Sequence, residues 1–328
     1  MMSQPDARRA TRLSRVRGLL LGLALGDAVA AGDDRASGAL TATVTTQLAC
    51  FTSEAVVRMW VRGDHKGIGP ALGIHRNAYR RWARIQGIGL GDNDIELDGW
   101  LHEVPRLARR RGNAPAVVTA LQRGRGVEAA PAPATSGGHH ALTLLLPGAV
   151  APWLTGQHVR QLVAATHGAP EASAAAVLGV ALARAALDSE STSEVLKLCR
   201  DEPLLGGVAG AELPLSRIAA GHDAVSALRG GVALLARCPE GSPDTVRSAL
   251  LSARRAGVPA AVGPVAGALL GAVHGVGSLP VDMLDRLDVA WVVDTLARDL
   301  VAQDLDKPGG SEFEPARDAA WWSRYPGG

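Results

Sequence analysis

Apolar residues recur along this chain at helical spacing, and almost nowhere do they alternate as they would along a half-buried strand. Residues 14–31 form an apolar helical stretch ending at Gly32. Residues 45–61 follow, with Leu48, Phe51, Val56, Met59 and Trp60 on the apolar positions. Further helices are predicted over 74–85, 117–122, 142–151, 157–165, 171–187, 191–199, 224–236, 243–256, 264–274 and 281–303. Residues 63–73, 87–99 and 129–140 are rich in Gly, Asp or Pro and are predicted as loops. The one β-like tetrapeptide is Thr43-Val44-Thr45-Thr46. The expected fold is therefore all-α, a compact multi-helix body with its function carried by loops. Residues 1–14 are polar and basic and are expected to be a flexible arm, with the main domain over 15–305. Residues 306–328 contain Trp321-Trp322-Ser323-Arg324-Tyr325, and a tail this aromatic is expected to dock on the body.

Composition narrows the function. The 328 residues are 47% hydrophobic and 20% charged, with a net charge of +2. That charge gives no reason to expect a nucleic-acid partner. Arg106, Arg109, Arg110 and Arg111 form a basic run, but no aromatics interleave with it, so a solvated surface is the expectation. Cys50, Cys199 and Cys238 are odd in number and widely spaced, which argues against a disulfide framework and points to a reducing, cytoplasmic setting. Near the N-terminus, arginines precede a short apolar run and Ala28-Val29-Ala30, roughly the grammar of a signal peptide. The run is Gly-broken and adjoins Asp27, so neither secretion nor a membrane-spanning segment is expected. The 31 Arg against three Lys, with abundant Ala, fit a bacterial chain of high-GC codon usage. No nucleophile elbow, P-loop, H-E-x-x-H or dinucleotide fingerprint is present.

Two long stretches lack carboxylates. No Asp or Glu lies between Asp34 and Glu54, and none between Asp244 and Asp282. Four segments give these gaps meaning. Gly18, Gly22 and Gly26-Asp27-Ala28 are spaced as G-x-x-x-G-x-x-x-G-D-A; residues 48–60 form the second helix; Thr166-His167-Gly168-Ala169-Pro170-Glu171-Ala172 is the third segment; and residues 262–275 form a Gly/Ala helix containing Gly267-Ala268-Leu269-Leu270-Gly271-Ala272. In this order they resemble the ADP-ribosylglycohydrolase family, the group that includes the dinitrogenase reductase-activating glycohydrolases.

The resemblance implies an all-α fold that removes ADP-ribose from its carriers. It also implies two magnesium ions held by acids of a T-D-D-T and a G-D-x-D-T motif. Here the first motif aligns with Thr43-Val44-Thr45-Thr46 and the second with Gly257-Val258-Pro259-Ala260-Ala261. Val44 and Thr45 stand where the first pair of acids belongs; Val258 and Ala260 replace the second pair and Ala261 the Thr. Magnesium requires hard oxygen ligands, and paired dications require anionic ones. No cofactor is therefore expected. Asp27 and Asp34 remain as degenerate catalytic candidates. On residue type alone, Asp27 also reads as a helix cap and Asp33-Asp34 as a solvated loop pair.

The family's ribose- and phosphate-facing G-N-G-x-x-M-R loop corresponds to Ser136-Gly137-Gly138-His139-His140 and the residues after it, with Leu144 at the family's Arg. Ser136, Gly137, Gly138, His139, His140 and His167 are the ligand-binding candidates, and Gly-rich backbone N–H groups can still cradle an anion. His139 and His140, being neighbours, are expected to point apart rather than share a metal. The leading reading is an inactive family member that binds a nucleotide-like small molecule or a protein partner. The alternatives are a hydrolase with altered, metal-independent chemistry and a structural or assembly protein.

Overall fold

The computed structural model describes residues 4–32, 38–67, 72–91, 95–123, 132–208, 212–308 and 314–326. The described residues contain fifteen α-helices and no strand beyond two isolated bridges. They are α1 (Gln4–Ala31), α2 (Val44–Lys66), α3 (Leu72–Ile85), α4 (Pro115–Arg123), α5 (His140–Thr143), α6 (Gly156–Ala164), α7 (Pro170–Asp188) and α8 (Thr192–Cys199). Then come α9 (Leu215–Ile218), α10 (Ala224–Ala236), α11 (Pro243–Arg255), α12 (Val262–His274), α13 (Val281–Arg286), α14 (Ala290–Leu305) and α15 (Pro315–Arg324).

The fold is organised around α1 and α12, which run antiparallel with their backbones touching. Gly18 faces Gly271, Gly22 faces Gly267 and Gly26 faces Gly263. A Cβ on Gly22 would lie 2.1 Å from the Gly267 carbonyl oxygen, and one on Gly267 would lie 2.0 Å from that of Gly22. The i, i+4 spacing places all three glycines of each helix on one stripe, so the whole seam is side-chain-free. Around this pair, α14 lies against α1, α10 and α7 lie against α12, and α2 packs on α3 and α14. α7 is long and apolar enough by composition to cross a membrane, yet half of it is buried inside the protein. Arg184 of α7 donates to the carbonyls of Ala149, Ala151 and Leu154.

Three predicted helices differ from the expectation. α1 starts at Gln4, so the segment expected to be a flexible arm is helical. It is fixed by ion pairs of Arg9 with Asp306 at 2.6 Å and Arg12 with Asp304 at 3.2 Å. The helix expected over 142–151 is two short pieces, α5 and a 3-10 turn at Leu146–Val150, with Pro147 lacking the N–H an α-helix needs. The helix expected over 281–303 breaks between α13 and α14. There Leu287 forms a parallel bridge with Leu40: Leu40 N–H donates to Arg286 O and Asp288 N–H to Leu40 O.

The C-terminal segment lies on the body. Tyr325 is fully buried and its hydroxyl donates to Asp299; Trp321 Nε1 donates to Gln303 at 2.8 Å. The Arg324 guanidinium sits 4.3 Å over the Trp100 ring. All three cysteines are buried thiols.

Candidate functional site

The β-like Thr43-Val44-Thr45-Thr46 is the start of α2, because caps override strand propensity there. Thr43 is the N-cap and its hydroxyl accepts from Thr45 N–H at 3.1 Å. Its own N–H donates to Asp27 Oδ2 at 2.8 Å, and its hydroxyl donates to Oδ1 at 2.7 Å. The Thr46 N–H and hydroxyl donate to Oδ2 at 3.2 and 2.6 Å. Four hydrogen bonds converge on Asp27, three at Oδ2 and one at Oδ1, so Oδ2 is filled and Oδ1 keeps one acceptor site. Burial raises the Asp27 pKa, and the four donors pull it back. This carboxylate ties down the first turn of α2 with both of its oxygens.

Val44 is buried, and a Cβ on Gly112 would touch its Cγ1 at 3.4 Å. The segment carrying Gly112 crosses the start of α2. Val44 N–H donates to Arg111 O at 2.8 Å, and Gln47 Nε2 donates to Leu107 O and Arg109 O at 3.3 and 2.7 Å. The Arg111 guanidinium donates to Ala42 O at 3.2 Å and forms a short ion pair with Asp288, whose other oxygen accepts from Ala42 N–H at 3.2 Å. Sequence reading missed this Arg111–Asp288 pair, because Asp288 lies inside what reads as one continuous helix. Only the break at Leu287 turns it inward.

The second motif begins with Gly257 at φ +63°, a left-handed turn that ends α11. Val258 is half-buried against the core, Ala261 is buried and Ala260 is exposed. Val258 and Ala261 thus join the packing, whereas Ala260 fills nothing. Two residues on, Gly263 meets Gly26, one position before Asp27. The end of α1 therefore holds both motifs: Asp27 ties the first and the glycine seam ties the second.

Two of the carboxylates that bound the acid gaps, Glu54 and Asp282, are committed elsewhere. Glu54 is about 15 Å down α2 from Val44 at 1.5 Å per residue, in ion pairs with Arg58 and Arg81. Asp282 pairs with Arg247 at 2.6 Å. Asp34 lies outside the described residues. Among the described residues, no group of three or more His, Cys, Asp and Glu side chains is arranged to hold a metal ion. A magnesium pair does not fit the donor set at the two motifs among the described residues: Val44, Val258 and Ala260 are aliphatic, Thr45 is neutral, and Asp27 already accepts four hydrogen bonds.

The ligand-loop candidates come together beside Thr45. Ser136 O accepts from Ala169 N–H at 3.2 Å, Gly137 O accepts from Ala224 N–H at 3.1 Å, and Gly138 bridges Asp223. The His139 and His140 rings do not point apart; their centroids are 4.2 Å from each other, because α5 begins between them. His140 Nε2 lies 3.3 Å from the Thr45 hydroxyl. His167 is buried, with Nδ1 2.8 Å from the Thr166 hydroxyl and Nε2 toward Gly138. Leu144, at the family's Arg, is inside the core.

Burial lowers the pKa of His140 to about 3 and of His167 to about 4, with repulsion from His139 adding to both. His75, on α3, is lowered to about 4 by burial alone. Each of these imidazoles is neutral in the folded protein at pH 7. The unfolded chain takes up protons near pH 6.5 and the folded one only near 3 to 4, so stability falls as pH drops through that window. Each histidine removes up to about 1.4 kcal/mol per pH unit there. Asp27, with its raised pKa, acts in the opposite direction. Urea midpoints measured from pH 7.5 to 4.5 are expected to fall steadily below 6.5; a flat profile down to 4.5 contradicts these neutral, buried imidazoles.

The ADP-ribosylglycohydrolase family matches residues 8–309. The chain belongs to this family. A solved structure described as an ADP-ribosylglycohydrolase-related protein complex is 22% identical, superposes with a TM-score of 0.66, and covers 90% of this chain and 100% of its own. At that identity it establishes the shared fold. No curated protein sequence matches the chain.

Proposed function

We propose that this family member is a pseudoenzyme that binds, without metal, an ADP-ribose-like or other nucleotide-like ligand where the Ser136–His140 loop meets the start of α2. The observation that carries the reading is the donor set at the start of α2. Val44 is buried under Gly112, Thr45 reaches His140, and Asp27 spends both oxygens on capping. The family chemistry needs dications to hold the ribose, and these side chains give a hard cation nothing to replace its water shell. A metal-independent hydrolase would need a free acid or base. Asp27 is engaged at both oxygens by the start of α2, and His140 and His167 are held so far below neutrality that they are weak bases. The glycine backbone and imidazoles of the loop remain available for hydrogen bonding a neutral or anionic ligand. The buried free thiols fit a cytoplasmic setting.

Calorimetry with ADP-ribose is expected to give the same affinity in EDTA and in excess magnesium. The protein is also expected to release no ADP-ribose from an ADP-ribosylated arginine peptide under either condition. Magnesium-dependent release would sink the proposal.

A further inference from the structure

We propose that Arg109 and Arg110 form an anion-binding edge beside the start of α2 and take the diphosphate of a ligand held by the Ser136–His140 loop, supplying the positive charge that metal ions would otherwise bring. The inference rests on the reading above that this place holds a nucleotide-like ligand. Its basis is how residues 104–112 are held. Gln47 fixes the Leu107 and Arg109 carbonyls, Gln86 also donates to Leu107 O, and the Arg111 carbonyl accepts from Val44 N–H. The backbone is thus clamped across the first turn of α2. The next residue of α2, Thr45, reaches His140 on the glycine loop. Adjacent positions of one helix therefore join the arginine segment to the ligand loop.

The arginines of this segment divide into two kinds. Arg111 is committed to Asp288 and Ala42. Arg106, Arg109 and Arg110 are exposed, and among the described residues their side chains have no carboxylate, carbonyl or ring partner. Glu103, also exposed, is the one acid in the sequence nearby. Unpaired guanidiniums on a rigid backbone repel one another, and a bound anion relieves that repulsion. Guanidinium is also the side chain whose geometry matches phosphate oxygens two at a time. The glycine loop has no cation of its own: Leu144 is buried in the core, and His140 and His167 are neutral at pH 7. With no acid between Asp34 and Glu54, the sequence around the first motif supplies nothing to neutralise Arg109 and Arg110.

The test compares the full chain with an Arg109→Ala/Arg110→Ala variant, titrating ADP-ribose, inorganic pyrophosphate and adenosine in EDTA. Both side chains are exposed and unpartnered, so the variant is expected to unfold at the same urea midpoint as the parent. Affinity for ADP-ribose and pyrophosphate is expected to fall roughly tenfold or more, the loss of one or two charge-assisted bonds, while adenosine is unaffected. The parent's ADP-ribose affinity is expected to weaken with salt, and the variant's to weaken less. Equal ADP-ribose binding by parent and variant overturns the arginine edge and leaves the binding reading standing. Arginine-dependent pyrophosphate binding without ADP-ribose binding does the reverse. A parent that binds none of the three probes overturns both.

Discussion

Gly22→Ala is expected to cost this protein on the order of 3 kcal/mol, although by helix propensity alone the change should stabilise α1 by about 1 kcal/mol. The sign is decided by distance. The new methyl would sit 2.1 Å from the Gly267 carbonyl oxygen, well inside contact, and the obstacle is backbone that cannot rotate away. α1 and α12 would have to separate, and with them the flanking Gly18–Gly271 and Gly26–Gly263 contacts. Overpacking of rigid cores costs about 1–3 kcal/mol and occasionally more, and this site is at the upper end because the displaced element is central. Gly267→Ala should cost a similar amount, and the double variant less than the sum, since one separation accommodates both methyls. Gly73→Ala is the control: it lies in α3, is exposed and meets nothing within 4 Å, so it should be neutral or stabilising. Urea unfolding of these four variants and the parent decides the matter. A Gly22→Ala midpoint equal to that of the parent would mean that the helices do not touch through their backbones.

That seam shows what the sequence could and could not disclose. The glycine spacings of α1 and α12 are plain in the chain, and they carry the family resemblance. Their mutual register is not plain, because nothing local says that Gly22 opposes Gly267. The all-α class was legible from periodicity, which depends only on which residues share a face. Failures fell where a long-range bond competes with local preference. Residues 43–46 read as β-like because Thr and Val favour strands, but Asp27, 16 residues back, offers its oxygens to the Thr43 and Thr46 N–H groups and starts a helix. Residues 281–303 read as one helix because the apolar spacing runs through Leu287, but Leu40 takes the hydrogen bonds of that turn. α15 was expected only as a docked tail; its docking partners are Asp299, Gln303 and Trp100, on two distant parts of the chain.

The lack of acids over residues 35–53 and 245–281 was equally legible, since it concerns residue types and not geometry. How the residues there pack was not. Val44 fits the expectation of an aliphatic filler, lying under Gly112, whereas Ala260 faces solvent. The residual acid of the first helix became a cap, and that change has an energetic logic. Clustered carboxylates without their cation repel one another, whereas a single one that accepts four hydrogen bonds is compatible with burial. The end of α1 thus anchors the first turn of α2.

Glu54→Ala is expected to be the most damaging single truncation on α2, at about 3–5 kcal/mol. Glu54 is the first carboxylate after the acid gap and is fully buried. Its two oxygens accept from Arg58 Nη2 at 2.8 Å and Arg81 Nη2 at 3.0 Å. Asp98 closes the network, 3.0 Å from Arg58 and 3.2 Å from Arg81. Arg58 also donates to the carbonyls of Asp98 and Pro326, so the cluster ties α2 and α3 to the C-terminal segment. Gly99, at φ +74°, makes room for it: a Cβ there would lie 2.2 Å from Arg58 Nη2. With Glu54 truncated, two buried guanidiniums share the half-exposed Asp98, and the destabilisation comes from their uncompensated charge more than from the lost contacts. A Glu54→Leu/Arg58→Met/Arg81→Met variant removes the charges together and should lose less than Glu54→Ala, despite changing three residues. In thermal unfolding the single variant should fall by roughly 5–15 °C, with earlier proteolysis near Arg324 as the tether to Pro326 loosens. A triple variant less stable than the single one would show that the arginines act through their hydrogen bonds to Asp98 and Pro326 and not through charge balance at Glu54.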